Sequence, residues 1–156
     1  MVWLRTLIFT VVVPATVTVY VPRWILSRAA APGPAGWRWI ALLPMAAGVA
    51  IYLRCAFDFG RARGTPAPID PPKDLVAVGL YRYTRNPMYV GVASIVWGEA
   101  LLFASWGLAG FAAAVCIVFH AFVVLYEEPS LRGRFGEAYA RYCSAVPRWL
   151  PRPRWP

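Results

Sequence analysis

The sequence predicts an all-α integral membrane protein with four transmembrane helices and a C-terminal cytoplasmic amphipathic helix. Three observations carry that expectation. Of 156 residues, 60% are hydrophobic and 15% charged, whereas soluble domains average about half apolar and a quarter charged. Four apolar stretches approach the ~20 residues a helix needs to cross a ~30 Å hydrocarbon core. Sixteen Lys+Arg against seven Asp+Glu give a net charge of +9, and most of these cations flank the apolar stretches. Nucleic-acid binding also suits a basic chain, but this placement fits membrane flanks instead. The length fits one domain, residues 1–156. Eight each of Trp, Tyr and Phe exclude a disordered chain.

The first span is expected over residues 3–21, with Arg5 near its start and a kink at Pro14. Ala29-Ala30-Ala31 resembles a leader cleavage site, but Arg23 and Arg28 precede it, so no signal peptide is expected. The second span is expected over 39–57, with Arg54 near its end. The third runs over 87–103 and the fourth over 108–126. Residues 104–107 are long enough only for a turn, so these two form an antiparallel hairpin. With four spans, thirteen Lys and Arg fall on one side and three on the other. The positive-inside rule then places both termini, the 58–86 loop and the 127–156 tail in the cytoplasm. Trp97 and Trp106 read as interfacial anchors, and Glu99 as structural or facing water near the far interface.

The cytoplasmic loop carries Pro66, Pro68, Pro71 and Pro72. It reads equally as a rigid spacer or as a lid over a cytoplasm-facing pocket. It leads to Asn86-Pro87, where the proline biases Asn86 away from helix and itself suits a first helical position. The free amides of that helix start, with Arg85 beside them, suit a carboxylate or phosphate. An ordinary cap, with Arg85 on lipid head-groups, accounts for the same residues.

The fourth span ends in Glu127-Glu128-Pro129. Adjacent carboxylates at a membrane edge need partners. Pro129 should stop the span at Glu128 and start a new helix. Leu131, Phe135, Ala138 and Tyr142 give that helix an apolar face, with Arg132, Arg134, Glu137 and Arg141 elsewhere around it. The glutamates either pair with nearby arginines or bind a cationic or hydroxyl-bearing ligand. His120 lies seven residues before Glu127, on nearly the same face, and either floors the pocket or bonds across helices. Cys55, Cys116 and Cys143 form no CxxC, so neither a disulfide framework nor a metal site is expected.

Gly79-Leu80-Tyr81-Arg82, Arg85-Asn86-Pro87-Met88-Tyr89-Val90-Gly91 and Glu127-Glu128-Pro129-Ser130-Leu131 stand in order across a helical hairpin. Phe135-Gly136-Glu137-Ala138-Tyr139 and Val146-Pro147-Arg148-Trp149-Leu150-Pro151 follow. Over about residues 60–151 the chain resembles the integral membrane methyltransferases of the isoprenylcysteine carboxyl methyltransferase and phospholipid methyltransferase group. Many members carry His where this chain has Asn86. The resemblance implies S-adenosylmethionine as cofactor, bound at the cytoplasmic ends of the last helices, and a lipid or lipophilic acceptor entering from the bilayer. The implied cofactor-binding residues are Tyr81, Arg85, Asn86, Pro87, Tyr89, Gly91, Glu127 and Glu128, with His120 a further candidate from its position. Glu128 and Arg132 are the catalytic candidates, Arg132 as a cation orienting the acceptor. Amine, carboxylate, thiol and hydroxyl acceptors all suit an in-line displacement. Membrane lipids are the expected partners, with no nucleic acid and no metal. An NADPH-dependent membrane reductase of the steroid-reductase type and a non-catalytic four-helix transporter or scaffold are the alternatives.

Overall fold

In the computed structural model the described residues are 12–29, 32–61 and 78–151. The start of the first span, the four loop prolines, and Arg152 and Arg154 lie outside them. All regular elements among the described residues are helical. The chain is helical from residue 12, passes through a π turn at Thr16–Tyr20 and continues as α1 (Val21–Arg28). A 3-10 turn at Gly36–Ala41 leads into α2 (Leu42–Arg61), and another at Gly79–Arg82 precedes α3 (Pro87–Leu102). Then come α4 (Trp106–Phe122), a π turn at Val123–Glu127 and α5 (Glu128–Ala145).

Two stretches are long and apolar enough to cross a membrane, Gly36–Asp58 and Trp106–Ala145. The second is 40 residues long, about 60 Å of helix. Only its apolar first half suits a ~30 Å core, so the part beyond Tyr126 projects past it. At 16 residues α3 is apolar but shorter, about 24 Å. Large apolar side chains point outward along these helices, among them Leu43, Leu53, Ile117, Val118 and Leu125. Such outward apolar surface is what a lipid solvent favours.

The fourth span does not stop at Glu128. Glu127 and Glu128 both keep helical backbone angles, and the helix runs on through Pro129. The π turn that ends one residue before Glu128 explains this. A proline ring collides with the carbonyl four residues back, and widening the preceding turn to i→i+5 bonding relieves that collision. Pro22 stands in the same register after the Thr16–Tyr20 π turn, where Val21 N–H donates to Thr16 O. The break falls later, at Gly136, with φ 52 and ψ −125. This shifts the helical phase, so Tyr139 and not Ala138 is buried beside Tyr142. Tyr139, Tyr142 and Val146 then form a core against Leu131, Phe135 and Cys143.

The α2–α3 contact is made by glycines. A Cβ on Gly48 would lie 2.5 Å from Gly91 O, and one on Gly91 would lie 2.8 Å from Gly48 O. One on Gly98 would strike Met45. Small residues let helix backbones approach in this way. The α3–α4 hairpin turns through Phe103–Ser105, with Ala104 at φ 44 and the Ser105 hydroxyl accepting from Leu108 N.

Candidate functional site

The N-terminal end of α3, the start of α5 and residues 146–149 meet around Glu128. Arg148 donates Nε to Glu128 Oε1 at 2.7 Å and Nη2 to Oε2 at 3.0 Å. Arg85 Nη1 donates to the same Oε1 at 3.0 Å and to Cys143 Sγ at 2.9 Å. Burial works to raise the Glu128 carboxyl, but the Arg148 bond and the charges of Arg85, Arg148 and Arg132 outweigh it. They hold Glu128 below the ordinary carboxylate range and ionised. Two guanidinium groups on one carboxylate leave a net positive charge there.

The tail is fastened to the 81–86 turn by several bonds. Arg85 N–H donates to Pro147 O at 2.9 Å, and Thr84 Oγ1 and Asn86 Nδ2 both donate to Arg148 O at 3.1 Å. Tyr142 OH donates to Tyr81 O at 2.7 Å. Asn86 therefore occupies the N-cap position of α3 without its side chain capping the helix. Its amide serves the tail instead, while its carbonyl accepts from Val90 N.

Glu127 faces another way. Tyr89 OH donates to Glu127 Oε2 at 3.0 Å, and the Tyr89 ring packs on Phe119 at 4.7 Å between centroids. Burial, with the neighbouring Glu128 charge adding to it, raises the Glu127 carboxyl, and the Tyr89 hydroxyl opposes this in part. Tyr89 also lines a cavity of about 770 Å³ between α2, α3, α4 and the tail. Val90, Ala93, Trp97 and Leu101 continue its wall along α3, facing Phe119 and His120. Trp149 Nε1 donates to His120 Nδ1 at 3.2 Å, and both side chains line the cavity near Tyr89.

The expected site residues thus divide. Arg85, Asn86 and Glu128 come together around Arg148 and Tyr89 pairs with Glu127, with Tyr89 and His120 on the cavity. Pro87 is buried at the first turn of α3, and Tyr81 is buried with its carbonyl bonded to the tail. Gly91 turns away from the cavity into the α2 crossing, where its hydrogen meets Gly48 and Tyr52 backbone. Arg132 is exposed and acts on Glu128 only through its charge. Sequence reasoning assigned no site role to Arg148 or Trp149, although Pro147-Arg148-Trp149 stood in a block already singled out. Among the described residues no group of three or more His, Cys, Asp or Glu is placed to hold a metal ion.

A family model described as phospholipid methyltransferase matches residues 37–138, which include every expected site residue. The chain belongs to the phospholipid methyltransferase family. Family membership implies methyl transfer to lipid-type substrates, and with the apolar helices it makes the chain a membrane transferase. No curated protein and no solved structure gives a match. Arg148 and Trp149 fall beyond the matched stretch, so their part in the site rests on the geometry alone.

Proposed function

We propose that this chain transfers a methyl group from S-adenosylmethionine to a lipid or lipophilic acceptor at the cytoplasmic membrane interface. It does so as one domain with four spans and cytoplasmic termini. The observation that carries the reading is the double role of Tyr89, which bonds the Glu127 carboxylate and lines the apolar cavity. A polar cofactor end and an apolar acceptor end then meet at one side chain.

The residues suit the cofactor's chemistry. Glu127 offers a carboxylate to an ammonium or to ribose hydroxyls. The start of α3, beside the net positive Arg85–Glu128–Arg148 cluster, suits a carboxylate. The Tyr89–Phe119 ring pair offers π faces to a sulfonium. When bound, S-adenosylmethionine supplies a methyl carbon activated by the adjacent sulfonium. The chain's own task is positioning and exclusion of water. Tyr89 holds Glu127 in place, Glu128 fixes Arg85 and Arg148, and Trp149 covers the cytoplasmic end of the cavity.

Incubating the full chain with methyl-labelled S-adenosylmethionine and a lipid extract tests the reading. Label should enter the lipid fraction and fall at least tenfold with Glu127→Gln, the loss of one charged hydrogen bond of about 1.5 kcal/mol. No label in lipid from any extract, or NADPH-dependent reduction of an extract lipid without methyl transfer, would refute it.

A further inference from the structure

The cavity has a direction, and the proposed function does not use it. On α3 its wall is Tyr89, Val90, Ala93, Trp97 and Leu101, a single stripe at helical spacing. From Tyr89 to Leu101 this stripe spans about 18 Å at 1.5 Å per residue. Its polar groups gather at the Tyr89 end, where Tyr89, His120 and Trp149 lie. Beyond them Ser94 is the one lining hydroxyl, and it donates to Val90 O at 2.8 Å, so it asks nothing of an occupant. The remainder is apolar but for the Trp97 indole N–H and the Cys116 thiol, and Glu99, the one carboxylate on α3, is not among the lining residues.

Resting on the function proposed above, we infer that the cavity is a measuring slot for one hydrocarbon chain. An amphipathic lipid places its polar head at Tyr89, His120 and Trp149, and its chain lies along α3 towards Leu101. A carbon–carbon bond of about 1.5 Å advances a zigzag chain by about 1.25 Å, so 18 Å corresponds to roughly fourteen carbons. Ala93, one turn from Tyr89, has a side chain small enough to let the chain pass. Leu101 marks the far end and sets the length. Chain length, not head-group alone, then decides which acceptor fits.

The test uses single-chain phospholipids brominated either on the first chain carbons beside the head-group or at the chain end, added to the full-length protein in phosphatidylcholine nanodiscs. Bromine quenches tryptophan at short range, and Trp97→Phe and Trp149→Phe variants report each cavity tryptophan by difference. Chain-end bromine should quench Trp97, and this quenching should be lost in Ala93→Phe while quenching of Trp149 by bromine beside the head-group persists. Leu101→Ala should shift the best-binding chain longer by about two carbons, the reach of the removed side chain. Trp97 quenching unchanged by Ala93→Phe means surrounding bilayer lipid only, and overturns the slot. Quenching that emerges only after deleting residues 1–11 means the chain's own N-terminal segment occupies the cavity, and likewise overturns it. S-adenosylmethionine binding on the Ala93→Phe protein separates the two ideas. Binding retained with unchanged quenching sinks the slot alone, whereas binding lost in the unmodified chain sinks the function.

Discussion

Replacing Glu128 by Ala removes the acceptor shared by two guanidinium groups. The side chain of Glu128 is 8% exposed and that of Arg85 12%, so Arg85 would be left buried beside a second cation. Stripping one partner from a buried ion pair costs about 3–5 kcal/mol. Arg148→Ala is milder, because its side chain is 33% exposed and Glu128 keeps Arg85. Losing its charged hydrogen bonds should cost about 1.5–3 kcal/mol. For a chain of this size 1 kcal/mol moves the midpoint by about 2–4 °C. Glu128→Ala should therefore lower the melting temperature by roughly 6–20 °C, and Arg148→Ala by about half as much. Thermal unfolding of the purified full chain, followed by helical circular dichroism, reads both. The double variant should lose less than the two singles together, because they share one interaction. A Glu128→Ala shift within 2 °C of the unmodified chain would show that the cluster does not hold the tail, and the argument from it would fail.

The same carboxyl sets an acid limit. Its folded value lies below the ordinary 4.5, so its stabilisation is fully present above about pH 4.5 and fades as pH falls through the depressed value. Melting temperature should drop below pH 4.5, and Glu128→Gln should flatten that limb; an unchanged limb would contradict it. Gly48→Ala should destabilise by about 1–3 kcal/mol, because its Cβ would meet Gly91 O at 2.5 Å. Denaturant titration measures this. Gly136→Ala should cost about 1–3 kcal/mol through its φ of 52, and it should expose Tyr139 and Tyr142 to solvent quenchers. Tyr89→Phe removes the hydroxyl bonded to Glu127 and should weaken S-adenosylmethionine binding about tenfold, the effect of ~1.4 kcal/mol.

Short-range physics carried much of this architecture. Asn86-Pro87 did open α3, and Ala104 and Ser105 of the expected 104–107 turn did form the hairpin bend, although Trp106 and Gly107 already belong to α4. The meeting of Tyr89 with Glu127 followed from placing two motif blocks at the same end of an antiparallel hairpin. What failed was the rule that proline ends a helix. Pro129 is accommodated by a π turn, which no periodicity of apolar residues announces. Gly91 looked like part of a ligand motif, but its use depends on Gly48, 43 positions away on another helix. Glu128 had nearby Arg132 and Arg134 as apparent partners, yet binds Arg148 instead. The chain reaches Arg148 only after the Gly136 break and the stapling of residues 147–148 to Thr84, Arg85 and Asn86.

Titration calorimetry with S-adenosylmethionine and its demethylated product, on the full chain in phospholipid nanodiscs, tests the central claim most directly. Saturable binding of both at one site per chain is expected, weakened about tenfold or more by Glu127→Gln. Absence of saturable binding by either, or binding indifferent to Glu127→Gln, would contradict it.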